Sequence, residues 1–279
     1  LMNPDPVFVY SDVERKTKVA IMKAKDLLAL PVLDEDQRIA KIEPLYFSHY
    51  YKTPVLLMAG GFGKRLLPFT ADTPKPMVVV DGKPIMEHVV ENLMAQGFRK
   101  FYISTHYLAD KIREHFGDGN HWGISITYIH EEQPLGTAGA LGFMGDFNHE
   151  SLLILNADVI VELDFGEMID FHYSTGAKVT VATQFQEYSV PFGVLVEEND
   201  QIIGITEKPT FRHKVNTGIY VLSGSVVSGV TQGQRTDMPD IIRQNIENSE
   251  LVSSCVFDGF WRDVGDPKSL DEFTKTLKK

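Results

Sequence analysis

An α/β fold, with a mixed but mainly parallel sheet flanked by helices, is predicted for this chain of 279 residues. Three observations predict it. From about Thr53 onward, short apolar runs alternate with amphipathic segments, and strand–helix–strand repetition implies right-handed crossovers and a sheet covered on both faces. The later runs follow one another with little helix between them, so an antiparallel portion is expected to complete the domain. The length and the 43% hydrophobic content suffice for one large domain, residues 51–279, and one small α+β module, residues 1–50.

In order along the chain, MNPDPVFVY reads as a short strand behind proline punctuation and DVERKTKVAIMKAKDL as a helix. ALPVLD and RIAKIEPL follow as two strands around the acidic turn DEDQ. The large domain opens with the apolar strand PVLLMA. PIMEHVVENLMAQG is helical by period, with Ile85, Val89, Leu93 and Met94 on one face and Pro84 suited to the first turn. KFYIST, ISITYI, SLLILNA, AKVTVAT, FGVLVE, QIIGIT, KVNTGIYVL and ELVSSCVF complete the strands. No internal repeat or low-complexity segment interrupts them.

Composition narrows the function. The net charge of −11, without a block of like charge, argues against duplex nucleic acid or an anionic membrane as partner. A small anionic substrate in a locally basic cleft remains compatible with it. One cysteine, Cys255, allows no internal disulfide and no cysteine metal site, and this fits a reducing, cytoplasmic compartment. No apolar run approaches the roughly 18–20 residues that span a bilayer, and no signal peptide is recognisable. The nine histidines fall at spacings that assemble no metal site, and no serine sits in a nucleophile elbow.

The stretch LMAGGFGKRLLPFTADTPKPM, Leu57 to Met77, carries the chemistry. A P-loop would need Ser or Thr after Gly63-Lys64, and Arg65 stands there. A dinucleotide fingerprint would need a third glycine where Leu66 stands. What remains is a nest of backbone N–H groups around an anion, with Arg65 adding a fork of donors, or else an ordinary strand-to-helix turn.

The whole stretch resembles the signature of the sugar-nucleotidyltransferases, GGxGxRLxPxT followed by PKPM. Gly60, Gly61, Gly63, Arg65, Leu66, Pro68, Thr70, Pro74, Lys75, Pro76 and Met77 meet every fixed position. The resemblance runs from about Pro54 to Asp266. It implies a Rossmann-like fold and transfer of a nucleoside monophosphate from an NTP to a sugar 1-phosphate, with pyrophosphate leaving. It also implies that Gly60, Gly61 and Gly63 hold the triphosphate, that Arg65 neutralises it, and that Lys75 reaches the α-phosphate. Two aspartates at strand ends would then bind Mg²⁺: Asp158 in LLILNADV, where the family commonly has Gly-Asp, and Asp263 in WRDVGDP, with Asp266 in place of the usual threonine. In HEEQPLGTAGAL, Gln133 and Gly136 would contact base and ribose, and a helix can begin after Gly136. In TEKP and VNTGIYVL, Glu207, Lys208, Asn216 and Thr217 would hold the sugar phosphate.

The wording PLGTAGA is nearest to guanylyltransferases, which favours GTP and a hexosamine or mannose phosphate, and it points toward surface-glycan precursors. The same chemistry with dTTP, UTP or CTP is the first alternative. A phosphocholine-type cytidylyltransferase or an inactive regulatory subunit is the second. Residues 1–50, above all LPVLDEDQRIAKI, resemble one CBS motif. That resemblance implies a regulatory or dimer-forming module and a homo-oligomer, although the family's usual nucleotide signature is absent from IAKIEPLYFS.

Overall fold

The computed structural model describes residues 7–13, 15–25, 27, 29–44, 50–264 and 269. The N-terminal segment forms β1 (Val9–Tyr10), α1 (Arg15–Ala24), β2 (Ala29–Leu33) and β3 (Ile39–Pro44). β2 lies between a parallel β1 and an antiparallel β3. Val9, Met22, Leu30 and Val32 close a small core of their own.

The large domain follows. Its elements are β4 (Val55–Met58), a short hairpin β5 (Val79–Val80) and β6 (Lys83–Pro84), α2 (Ile85–Ala95), β7 (Lys100–Thr105), α3 (Ala109–Phe116), β8 (Ser125–His130) and β9 (Ser151–Asn156). Then come β10 (Val159–Val161), α4 (Phe165–Thr175), β11 (Val179–Ser189), β12 (Val194–Glu198), β13 (Gln201–Thr206), β14 (Thr210–Ser223), α5 (Gly224–Ser228), α6 (Met238–Glu247), β15 (Val252–Val256) and β16 (Trp261–Asp263). Seven strands make one sheet in the order β15-β11-β14-β9-β4-β7-β8. Within it only β14 runs antiparallel to its neighbours.

The sheet is apolar on both sides, as helices on both faces require. Val55 and Leu57 of β4, with Leu153 and Leu155 of β9, pack under α2, α3 and α4. Leu56 and Ile154 point the other way, toward α5, α6 and the turn Gly139–Phe143. Two expectations need correcting in detail. Pro84 caps α2 rather than entering its first turn, because its carbonyl side is still extended. The segment after Gly136 makes a 3-10 turn, since Gly139 and Gly142 are pressed against the backbone of residues 231–234.

The chain order places the site. β4, β7 and β8 step outward in one direction, and β9 then returns to the other side of β4. At such a reversal the loops leaving neighbouring parallel strands part, and a crevice opens at their carboxyl ends. The glycine loop leaves β4 there, and Asn156 to Asp158 leave β9 beside it.

Candidate active site

A cleft of about 510 Å³ occupies this crevice. Its near wall is the loop Ala59–Gly63. Ala59 is anchored to β7 through its N–H, which donates to Ser104 O at 2.9 Å. Gly63 turns the chain at φ +62°, and a Cβ there would stand 2.9 Å from Lys75 Cβ and 2.9 Å from Thr70 Cγ2. Thr70 fixes the turn by donating its hydroxyl to Gly63 O at 2.8 Å. Gly61 is different: a Cβ would meet nothing within 4 Å, so the open backbone at this position is not demanded by packing. Arg65 lines the cleft, is exposed, and makes no ion pair among the described residues.

Lys75 stands at the floor. Pro74 caps the 3-10 turn Lys75–Met77, and the buried Pro76 and Met77 anchor it, so the lysine is aimed inward. Its ammonium pairs with Asp158 and, at 3.1 Å, with Asp263. The two aspartates are 105 positions apart in sequence, and β10 pairing with β16 brings them together. Val159 lies opposite Asp263, and Val264 N–H donates to Asp158 O at 3.2 Å. Burial pushes the Asp158 carboxyl above the usual range; the Lys75 ammonium opposes that shift and the neighbouring Asp263 carboxylate adds to it.

The far wall is Pro134–Thr137. Gly136 adopts φ +85°, and a Cβ would stand 2.6 Å from Asp237 Oδ1 and from Thr236 O. The chain before α6 clamps this wall: Ala138 N–H donates to Thr236 O at 2.9 Å and Thr236 N–H to Leu135 O at 2.9 Å. The Asp237 carboxylate accepts Thr137 N–H at 2.8 Å, a bond that holds its carboxyl below the usual range.

Of the residues singled out from sequence, Gly60, Gly61, Gly63, Arg65, Lys75, Gly136, Asp158 and Asp263 line one cleft. Gln133 is exposed beside it without lining it. Glu207 and Lys208 lie in the turn between β13 and β14, both exposed, and Lys208 takes φ +45°. Asn216 donates its amide to Tyr220 OH at 2.8 Å, and the buried Thr217 donates its hydroxyl to Ala182 O at 2.7 Å. These four lie outside the cleft lining, though Thr217 O accepts the Trp261 indole N–H at 3.0 Å, two residues from Asp263.

Sequence reasoning passed over Glu131, Ser104, Arg235 and Asp237, which also line the cleft. Glu131 is buried, accepts the Ser104 hydroxyl and takes Leu135 N–H at 3.0 Å. Nothing in HEEQP separates its first glutamate from its second by pattern. Asp237 did carry a signal, Asp-Met-Pro-Asp, but that signal reads only as a helix start.

A family model described as nucleotidyl transferase matches residues 54–279. Mannose-1-phosphate guanylyltransferase catalytic subunit beta of Danio rerio is 34% identical over 223 residues, which is 77% of this chain and 62% of that protein. Its namesake in Drosophila melanogaster is 33% identical over 78% of this chain and 61% of its own. The chain thus spans a little over three-fifths of the length of these relatives. A solved Bacillus anthracis structure, assigned as a glucose-1-phosphate thymidylyltransferase, has TM-score 0.64 at 26% identity. That match covers 81% of this chain and 95% of that one.

Proposed function

The chain belongs to the nucleotidyl transferase family, and on that premise we propose that it transfers a nucleoside monophosphate from an NTP, by preference GTP, to a sugar 1-phosphate. The product is an NDP-sugar, and pyrophosphate leaves. The observation that carries this reading is Lys75 held between Asp158 and Asp263 at the floor of a cleft walled by glycine backbone. A reaction that brings one phosphate against another is limited by charge and alignment, and this floor supplies cations, carboxylates and fixed dipoles in one place.

In this reading the N–H groups of Gly60, Gly61 and Gly63, together with Arg65, receive the β- and γ-phosphates. Lys75 reaches the α-phosphate, whose phosphorus the sugar phosphate oxygen attacks in line. Gly136 lets the wall approach the nucleoside, with Gln133 beside it. Glu207, Lys208, Asn216 and Thr217 are assigned the sugar phosphate; the tie between Thr217 and Trp261 sets that stretch of β14 next to the strand carrying Asp263.

Asp158 and Asp263 would hold a divalent cation. Their carboxylates already converge on one cation, the Lys75 ammonium, and Asp158 keeps a raised carboxyl despite it, so the donor set suits further positive charge. Among the described residues no third ligating side chain joins them, which fits Mg²⁺ with phosphate oxygens and water completing its shell. When bound, the ion neutralises the phosphates as a Lewis acid.

The guanylyltransferase relatives support GTP and a mannose-type or hexosamine phosphate. The Bacillus anthracis structure, named for thymidylyl transfer, keeps dTTP as the competing nucleotide. The test is pyrophosphate release with Mg²⁺ across GTP, dTTP, UTP, CTP and ATP, each against mannose, glucosamine and glucose 1-phosphates. One productive pair, abolished by Asp263→Ala in a protein of unchanged melting temperature, is expected. Silence in every well from folded protein would return the chain to the regulatory-subunit reading.

A further inference from the structure

The β12–β13 hairpin is built like an interior and sits outside. Leu195, Val196, Ile202, Ile203 and Ile205 are between 47% and 66% exposed, and Phe192 at its root is 72% exposed. None of them joins a buried cluster. Among the described residues the two strands pair only with each other, which leaves both outer edges with free backbone groups. A lone two-stranded hairpin is marginal in water, and an apolar patch with open edges marks an interface.

The charges name the occupant. The hairpin tip is acidic, with Glu197, Glu198 and Asp200 in five residues. The ribbon from which the hairpin springs, Phe185–Ser189 paired with Thr210–Lys214, carries the opposite sign. There Arg212 sits 3.9 Å and Lys214 5.7 Å from the Phe185 ring centroid, both exposed on one face. Hairpin and ribbon each run about five residues, or roughly 17 Å, from their common root at Val190 and Pro209. Two copies related by a two-fold axis at that root would therefore lay each acidic tip on the other's basic ribbon and cover each other's apolar strands. We propose that the β12–β13 hairpin and the β11–β14 ribbon form a self-complementary interface that joins two copies of this chain. Such a contact is isologous and closes as a dimer.

The experiment measures mass in solution for the whole chain and two charge reversals. One reverses the tip (Glu197→Lys with Glu198→Lys), and the other reverses the ribbon (Arg212→Glu with Lys214→Glu). Wild type is expected at twice its 31.4 kDa. Each reversed protein alone is expected to dissociate at least about tenfold more readily. Mixing the two should restore the dimer, because each tip then meets a ribbon of opposite sign. Ile205→Asp, on an exposed position, should yield folded monomer. A monomeric wild type would overturn the interface, and so would a dimer indifferent to all three variants. Failure of the mixture to re-form would overturn the tip-on-ribbon register. Circular dichroism of each variant separates loss of association from loss of fold.

Discussion

Gly61 and Gly63 are both invariant demands of the motif, yet the structure gives them different reasons. At Gly63 a side chain must accept φ +62° and force aside Lys75 Cβ and Thr70 Cγ2. Gly63→Ala should therefore cost about 1–3 kcal/mol of stability and displace Lys75. Gly61 has open space around its Cα, so Gly61→Ala should melt like wild type. If its backbone receives phosphate, the same variant should still raise KM for the NTP severalfold, and an unchanged KM would remove it from the loop's work. His172 makes a third case at this scale. It is buried, its ring nitrogens face the Thr180 and Ser223 hydroxyls, and burial lowers its pKa to about 4. Because the unfolded imidazole titrates near 6.5, the unfolded chain binds the extra proton between pH 6.5 and 4. Stability should fall as pH is lowered through that window, by up to about 3 kcal/mol, and level off below pH 4. Urea midpoints across it test this, and His172→Gln should flatten the profile.

At the level of elements, the strands were legible because their apolar runs answer to burial on two faces, as in SLLILN of β9, where five of six residues are buried. The hairpin of β12 and β13 was legible for a different reason, its apolar runs around the turn residues Asn199 and Asp200, although its strands are exposed. What pattern could not tell was which connection would lie over the cleft. The segment before α6 does so through bonds with Leu135, Thr137 and Ala138, contacts about 100 residues apart that leave no local trace. This gives α6 a second duty: its N-terminal Asp237 holds the cleft wall, and Met238 N–H donates to Thr137 Oγ1 at 2.9 Å. Asp237→Ala should remove the acceptor of Thr137 N–H at a cost of about 1 kcal/mol and loosen the wall. The check is KM against kcat. A rise in KM for the NTP with kcat held is expected, whereas loss of kcat alone would place Asp237 in the chemistry instead.

For the whole molecule, the question is how residues 1–50 relate to the rest. Motif reading found Lys75, Asp158 and Asp263 one by one, but only the pairing of β10 with β16 assembles them, and every strand involved lies beyond residue 53. The N-terminal segment has its own sheet and its own small core. The place to cut it away is set by Tyr51, which belongs to the larger body: its ring stacks on Phe98 at 4.7 Å and its N–H donates to Gly97 O at 3.1 Å. A chain beginning at Tyr50 should therefore fold and keep basal turnover. One beginning at Pro54 should lose about 3 kcal/mol with the aromatic stack. Thermal melts and pyrophosphate release on both truncations separate the cases. If the longer truncation melts normally and is inactive, the N-terminal segment contributes to the cleft. If it is active and only its dependence on added nucleotides changes, the segment acts as a regulator of a site complete without it.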